Sequence, residues 1–466
     1  MDRVFLFRDS LRPPTHRGDG SDLANGTWPS WVLLDFTAYV LDRRNSTTAT
    51  CKFRGDKELQ VTFFPAHPPR VSYFCVYCSG LKPSDYPIEP TVIATEANLV
   101  LLRIAVGARH ELWCPRVHDY FIYSADGGGP DGGPLLEQLP HPSPYFFRDE
   151  QIGLLSYDTG GYTVVALRDD SSELYRKGSP AALDQYDVCI LHSKDKVWTI
   201  KAVDVPREQL QQRSDGFRHD TSKVITIGGE HGTMAFVDLW RGILWYDVLS
   251  GDALLRYTLL PEISPGSRRE YSVNPLFTRD IAFVEGHIKY VEMPMNVKTS
   301  TSCVASKAAT WSMPATTSCQ EDTWLLEGNI EVSKIRDDEN LLCSELLRMW
   351  KYDEGKPKPT MESLHTGHPT LSLRNNGIVY FMTKVASMDS KACVIAVDMS
   401  EGTIQGVARF GAERTGGISF TYMHSRFSKY LKMPPGTKGA SSKSKKKGRK
   451  FTVIALPSRR CQVLRF

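Results

Sequence analysis

No run in this 466-residue chain approaches the roughly 18 uninterrupted apolar residues of a membrane-spanning helix. No secretory leader is expected either. In MDRVFLFRDSLRPPTHRGDGSD the apolar core is only Val4–Phe7, and Arg8 breaks it. Together these absences lead us to expect an intracellular protein, in cytoplasm or nucleus, with no membrane partner. Charge of one sign is scarce too. Lys and Arg number 57 against 53 Asp and Glu, a net charge of +4. That balance is too mild to make the whole chain a nucleic-acid-binding surface.

Cysteine is sparse, ten residues in all, and scattered, as reduced and buried thiols are. The one close pair is Cys75 and Cys78. A zinc site wants a second pair or histidines at ligand spacing, and none follows. In RVSYFCVYC the pattern is that of a strand, where residues three apart point to opposite faces. His365 and His368 in HTGHP lack a nearby carboxylate or cysteine at ligand spacing, and the Pro-Thr that follows reads as a loop. There is no G-x-S-x-G elbow and no G-x-x-x-x-G-K-[ST] loop. GGGPDGG (127–133) lacks the lysine and the helix of a phosphate cradle. Acids such as Asp35, Asp158, Asp238, Asp247 and Asp398 fall where strands turn, and nothing selects a catalytic pair. We therefore expect no catalytic residue, no metal and no cofactor, and a protein that is not an enzyme.

What the chain does have is strand and turn chemistry. WPSWVLLDFTAYV, KELQVTFFP, RVSYFCVYC, PTVIATE and NLVLLRIAV are rich in Val, Ile, Phe, Tyr and Thr, and are bounded by Pro, Gly, Asn or Asp. A unit of strand, polar turn and strand then recurs at 119–140, 152–168, 187–206, 242–261, 280–294 and 392–410. Hairpins repeated at such spacing are the signature of a radial array. The predicted fold is mainly β, a propeller-like array of antiparallel hairpins or blades with a helix-containing insertion. Residues 1–27 read as a flexible N-terminal segment and 28–295 as the first part of the propeller-like region. A polar insertion is expected at 296–359, with one helix at 338–352, and 360–433 reads as the second part, ending in a short helix. A basic flexible loop is expected at 434–450. The apolar C-terminal hairpin 451–466 is expected to pair with N-terminal strands and close the ring, hiding exposed edges.

MAFVDLWRGILWYDVLSGDALLRYTLLP (234–261) is the most hydrophobic meander. In it a reversal is predicted at Trp240-Arg241-Gly242, with Gly242 at positive φ, Asp238 accepting backbone hydrogen bonds, and Arg241 stacking on Trp240 or Trp245. Asp238, Trp240, Arg241 and Gly242 thus form either a blade corner or a recognition knob. GTMAFVDLWRGILWYDVL (232–249) also resembles the signature of a plant family expanded in grasses, the domain of unknown function 1618 family. The resemblance continues through DVPREQLQ, HPTLSLRNNGIVYFMTKV (368–385) and the segment 394–433, spanning about Trp28 to Met433. It implies a propeller-like domain of the kind that follows F-box motifs, with an unassigned molecular function. The first 27 residues are too few and too polar for an F-box bundle.

The one concentrated charge is Lys443, Lys445, Lys446, Lys447, Arg449 and Lys450, inside GASSKSKKKGRK. Such a run reads as an exposed nuclear-import segment or a solvated loop, and it is the only support for nucleic acid as a partner. The function expected from the sequence is a non-enzymatic scaffold for an unknown protein partner. The alternatives are a hydrolase-like enzyme with carboxylates in a propeller channel, and a nuclear nucleic-acid-associated factor.

Overall fold

The structure is a computed structural model and describes residues 6, 8–14, 28–111, 117–127, 132–143, 145, 147–158, 160–169, 185–206, 219–251, 254–261, 274–299, 302–305, 307–315, 323–350, 361–414 and 421–432. Strand accounts for 52% and helix for 11%, so the mainly β expectation holds, and six antiparallel blades form a β-propeller.

Blade 1 comprises Thr91–Glu96, Leu99–Ala105, His118–Ser124 and Leu135–Gln138. Blade 2 comprises Ile152–Tyr157, Gly161–Asp169, Gln185–His192 and Trp198–Asp204. Blade 3 comprises Lys223–Gly228, Thr233–Asp238, Gly242–Asp247 and Arg256–Leu259, and accounts for the hydrophobic meander. Blade 4 comprises Arg279–Val284, His287–Glu292, Lys307–Pro314 and Leu325–Glu331. Blade 5 comprises His365–Leu371, Ile378–Lys384, Lys391–Asp398 and Thr403–Gly411. The second strand of each is sealed on both faces by the neighbouring blades. Thr233–Asp238, for example, is buried at every position, as its unbroken apolar character requires.

Blade 6 is built from both ends of the described chain. Its order is Tyr422–Ser425, Val32–Asp35, Val71–Cys78, Lys57–Phe64, Ala49–Phe53, with Tyr39–Val40 paired alongside Val71–Cys78. Val32 lies opposite Ser425 and Asp35 opposite Tyr422 in an antiparallel register. The closing strand is therefore Tyr422–Ser425. The sequence pattern predicts a short helix here and assigns closure to 451–466, which lies outside the described residues. The short helix that follows the strand directly is the 3-10 helix Phe427–Tyr430. An aromatic cluster seals the junction of blades 6 and 1: Phe427 meets Phe63 at 5.2 Å and Tyr123 at 5.6 Å, both edge-on. Between blades 5 and 6, Arg414 pairs with buried Asp35 and lies 3.8 Å over the Tyr39 ring.

Three other expectations need correction. Segment 296–359 is not simply an insertion, because Lys307–Pro314 and Leu325–Glu331 complete blade 4. Its Thr and Ser residues fit a strand, and polarity misled because the outer strand faces solvent. The helix is Leu341–Trp350, with Leu342 and Leu346 buried against blade 5. Residues 8–14 are not loose: Ser10 donates to Glu89 Oε1 at 3.0 Å, and the Pro14 carbonyl accepts from Arg43 and Tyr73. HTGHP is a strand rather than a loop, since Pro369 falls at a bulge between Gly367 and Thr370, where an inner-edge strand tolerates proline. Cys75 and Cys78 are free, buried and on opposite faces of one strand, in separate apolar clusters. Burial pushes the Cys75 thiol up to about 12, which leaves it unreactive.

Candidate functional site: the axial cavity and its corner

In blades 1–5 neighbouring strands run antiparallel, while in blade 6 Val32–Asp35 runs parallel to Val71–Cys78, and the innermost strands of the blades line the axis. A cavity of about 990 Å³ runs alongside them. At the starts of these strands it is lined by Arg148, Asp149, Glu150, Asp220, Trp240 and Arg241, and at their ends by Glu96, Phe283, Leu373, Arg426 and Lys429.

Midway, Asp280 is the hub. It begins blade 4, and only 5% of its side chain is exposed. Lys223 of blade 3 donates to its Oδ1 at 2.6 Å and to the Ile281 carbonyl at 2.9 Å. The Leu371 amide of blade 5 donates to Oδ2 at 2.9 Å. His424 of the closing strand places Nδ1 at 3.4 Å from Oδ2. One carboxylate thus joins four blades. Burial pushes its pKa up, but the Lys223 ammonium and His424 overcome this and hold it well below the usual carboxylate range. His424 itself is held below the usual imidazole value, first by burial and then by Lys223. A neutral ring satisfies this site, with Nδ1–H toward Asp280 and Nε2 3.4 Å from Lys223 Nζ.

His368 belongs to the same collar and is not a metal ligand paired with His365. It is 1% exposed, with Nδ1 at 3.1 Å from the Leu276 carbonyl and its ring 4.4 Å from that of Tyr422. Nε2 lies 2.9 Å from the Tyr422 carbonyl and 3.4 Å from the Tyr422 amide. Burial lowers its pKa against the pull of the Leu276 and Tyr422 carbonyls. Among the described residues no group of three or more His, Cys, Asp or Glu is placed to hold a metal ion.

The predicted corner sits at the strand-start mouth. Asp238 is fully buried, and its Oδ1 accepts from the Trp240 amide at 2.9 Å. Its Oδ2 accepts from the Asp220 amide at 2.9 Å and from Arg241 Nη1 at 2.7 Å. The Arg241 amide closes the turn on the Asp238 carbonyl at 2.9 Å. Arg279 lies 4.0 Å over Trp240, and Arg256 lies 5.8 Å over Trp245. Arg279 also pairs with buried Glu292 and donates to Tyr290 Oη at 3.0 Å, a network that residue order alone offers no means of assembling. Gly242 does not adopt the expected positive φ. It is glycine because of close approach: a Cβ there would collide with the Thr258 carbonyl and lie 2.5 Å from Tyr257 Oη. Gly242→Ala is expected to cost about 1–3 kcal/mol, read as a lower urea midpoint with unchanged slope. A midpoint equal to that of the parent would show that the corner relaxes freely.

The acids of this mouth are tethered. Asp149 pairs with Arg103 at 2.9 Å, Glu150 lies 3.5 Å from Arg148, and Asp220 also pairs with Arg148. Burial raises the pKa of both Asp149 and Glu150. The lysine cluster 443–450 lies outside the described residues.

Outside the cavity, the outermost strands of blades 3 and 4 form one edge surface. Trp324 Nε1 donates to the Leu259 carbonyl at 2.9 Å and joins them. Leu254 and Leu259 are 60% and 41% exposed, and Leu325 and Leu326 are 68% and 52% exposed. The sequence had no signal for this, since 234–261 reads as one hydrophobic meander and 325–326 lies in the expected polar insertion.

No curated protein is found as a significant relative. Among solved structures the chain is similar to Kuenenia stuttgartiensis hydrazine synthase, at 10% identity over 67% of this chain and 65% of that one, with a TM-score of 0.27. It is similar to the WD40 domain of SCAP from fission yeast, at 11% identity over 77% and 67%, TM-score 0.30. It is also similar to the N10 neuraminidase-like protein of A/little yellow-shouldered bat/Guatemala/060/2010, at 9% identity over 69% and 84%, TM-score 0.31. At these values none of the three bears on what the chain does. The family model described as "Protein of unknown function (DUF1618)" matches residues 236–380. That segment runs from blade 3 into blade 5 and contains the Asp238–Gly242 corner, Asp280 and His368. By this match residues 236–380 are similar to the DUF1618 family.

Proposed function

We propose that the chain is a non-enzymatic scaffold that binds a protein partner along the outer edge of blades 3 and 4. The observation that carries this reading is the exposure of Leu259, Leu325 and Leu326 on adjoining edge strands, with exposed Leu254 just before the first of them. Exposed apolar surface on an outer edge costs free energy in water and favours a covering partner. An edge strand also offers backbone groups for an added strand. The hydrolase alternative draws on Asp149 and Glu150, whose carboxyls are raised, but each faces an arginine and so is accounted for by holding the mouth together. An intracellular setting, a nuclear share directed by Lys443–Lys450, and a plant origin without an F-box belong to this same proposal.

The test is proximity labelling in cells with the intact chain as a fluorescent bait, which also reports its location. Leu325→Asp/Leu326→Asp is expected to remove a defined set of labelled neighbours at least about tenfold while leaving the melting temperature within about 2–3 °C, since both side chains are exposed. A labelled set identical to that of the parent would sink the edge as the binding surface.

A further inference from the structure

We propose that the strand-end mouth of the axial cavity binds a small amphipathic anion, an apolar body bearing one carboxylate or phosphate, with the charged group seated between Arg426 and Lys429 beside Glu96. This goes beyond the scaffold reading and does not depend on it.

Part of the cavity wall is apolar. Ile93, Val224, Ile227, Phe283 and Met423 line it and are only partly buried. Their remaining exposure faces the partly open cavity, where an apolar ligand would displace water. The volume of about 990 Å³ suits a molecule of one or a few rings.

The mouth is cationic. Arg426 is anchored: Nη1 donates to the Phe283 carbonyl at 3.3 Å and Nη2 to the Leu373 carbonyl at 3.0 Å. Both acceptors are neutral, so its charge is not cancelled. Lys429 Nζ lies 4.7 Å from the Tyr430 ring centroid, and among the described residues no carboxylate is within ion-pair distance of it. Other charges nearby are already matched. Deeper in, Lys223 and His424 are held to Asp280. On the adjoining turn Asp126 is held by Asn98.

Glu96 ends the inner strand of blade 1 and makes no ion pair or side-chain hydrogen bond among the described residues. It is the acid that faces Arg426 and Lys429. Burial pushes its carboxyl up to about 7, against the pull of those two cations. When Glu96 is protonated, the mouth presents two uncompensated cations and a carboxyl O–H that can donate to an anion. When it is ionised, it competes with the ligand for the same cations. Anion binding is therefore coupled to proton uptake, and affinity falls as pH rises through neutrality.

Isothermal calorimetry on the full chain tests this with 1-naphthoate, 1-naphthyl phosphate and 1-naphthalenemethanol. The acid or the phosphate is expected to bind at least about tenfold more tightly than the alcohol, and the better of the two identifies the head group. Naphthoate affinity is expected to fall about tenfold from pH 6 to pH 8 in the parent, and to be independent of pH in Glu96→Gln. Lys429→Ala is expected to weaken binding about tenfold at pH 6 with an unchanged melting temperature, because its side chain is exposed. The proposal is overturned if the alcohol binds as well as the acid, if Glu96→Gln keeps the pH dependence, if Lys429→Ala binds like the parent, or if none of the three probes binds.

Discussion

A chain ended after residue 420 is expected to lose cooperative thermal unfolding altogether. The missing strand Tyr422–Ser425 is the innermost strand of blade 6 and pairs with Val32–Asp35 along its whole length. Without it the N-terminal strands have no partner at the axis, and buried Leu33 and Leu34 face water. Burial of such side chains contributes roughly 1.5–3 kcal/mol each, against a whole-domain stability of about 5–15 kcal/mol. The truncation also removes Phe427 from the Phe63–Tyr123 cluster and His424 from Asp280. Differential scanning calorimetry checks this. A sharp transition at the parent temperature in the 420 truncation would show that closure is dispensable. A chain ended after residue 450 addresses a separate expectation. If Phe451–Phe466 pairs with the sheets, as Val453, Ile454, Leu456, Val463 and Leu464 lead us to expect, that chain melts below the parent but still cooperatively.

The second large effect is expected at Asp280→Ala. Removing this carboxylate leaves the Lys223 ammonium largely buried without its counter-charge, and leaves the Leu371 amide without an acceptor. Breaking a buried pair from one side costs about 3–5 kcal/mol. Lys223→Met combined with Asp280→Leu is expected to recover part of that loss, because no uncompensated charge remains. The pH dependence has a definite sign. The folded carboxyl is held below its unfolded value of about 3.9, so its contribution is fully present above that pH and is lost as pH falls through the lowered folded value. Urea denaturation of parent and variant at pH 7 and at the lowest pH where both fold should show the difference shrinking in acid. A difference below about 1 kcal/mol at pH 7 would show that the hub carries little of the fold.

The reasons for these two effects were unequally legible in the residue order. Local alternation of Val, Ile, Tyr and Thr with Gly and Asp turns determines the hairpins, because period-two burial and turn chemistry are local properties. It also placed Cys75 and Cys78 on opposite faces, the reversal after Asp238, and the helix within 338–352. Lys307–Pro314 and the outer strand Leu325–Glu331 escaped it, since they lie in a stretch rich in Thr, Ser, Lys, Asp and Glu, and an edge strand needs no continuous apolar pattern. The pairing of residue 32 with residue 425 escaped it too. A four-residue strand carries almost no periodicity, and its place is set by a gap in a sheet assembled from the other end of the chain.

The β class, the hairpin repeat and the residues that turn corners follow from residue order, because each depends on neighbours a few positions apart. Folding brings Lys223, Asp280, Leu371 and His424 to one point, fixes Gly242 by crowding rather than by φ, and turns Glu96 toward Arg426 and Lys429. Those facts depend on groups up to several hundred residues apart being brought to a common axis. Their charge, burial and spacing acquire meaning only once the ring has closed.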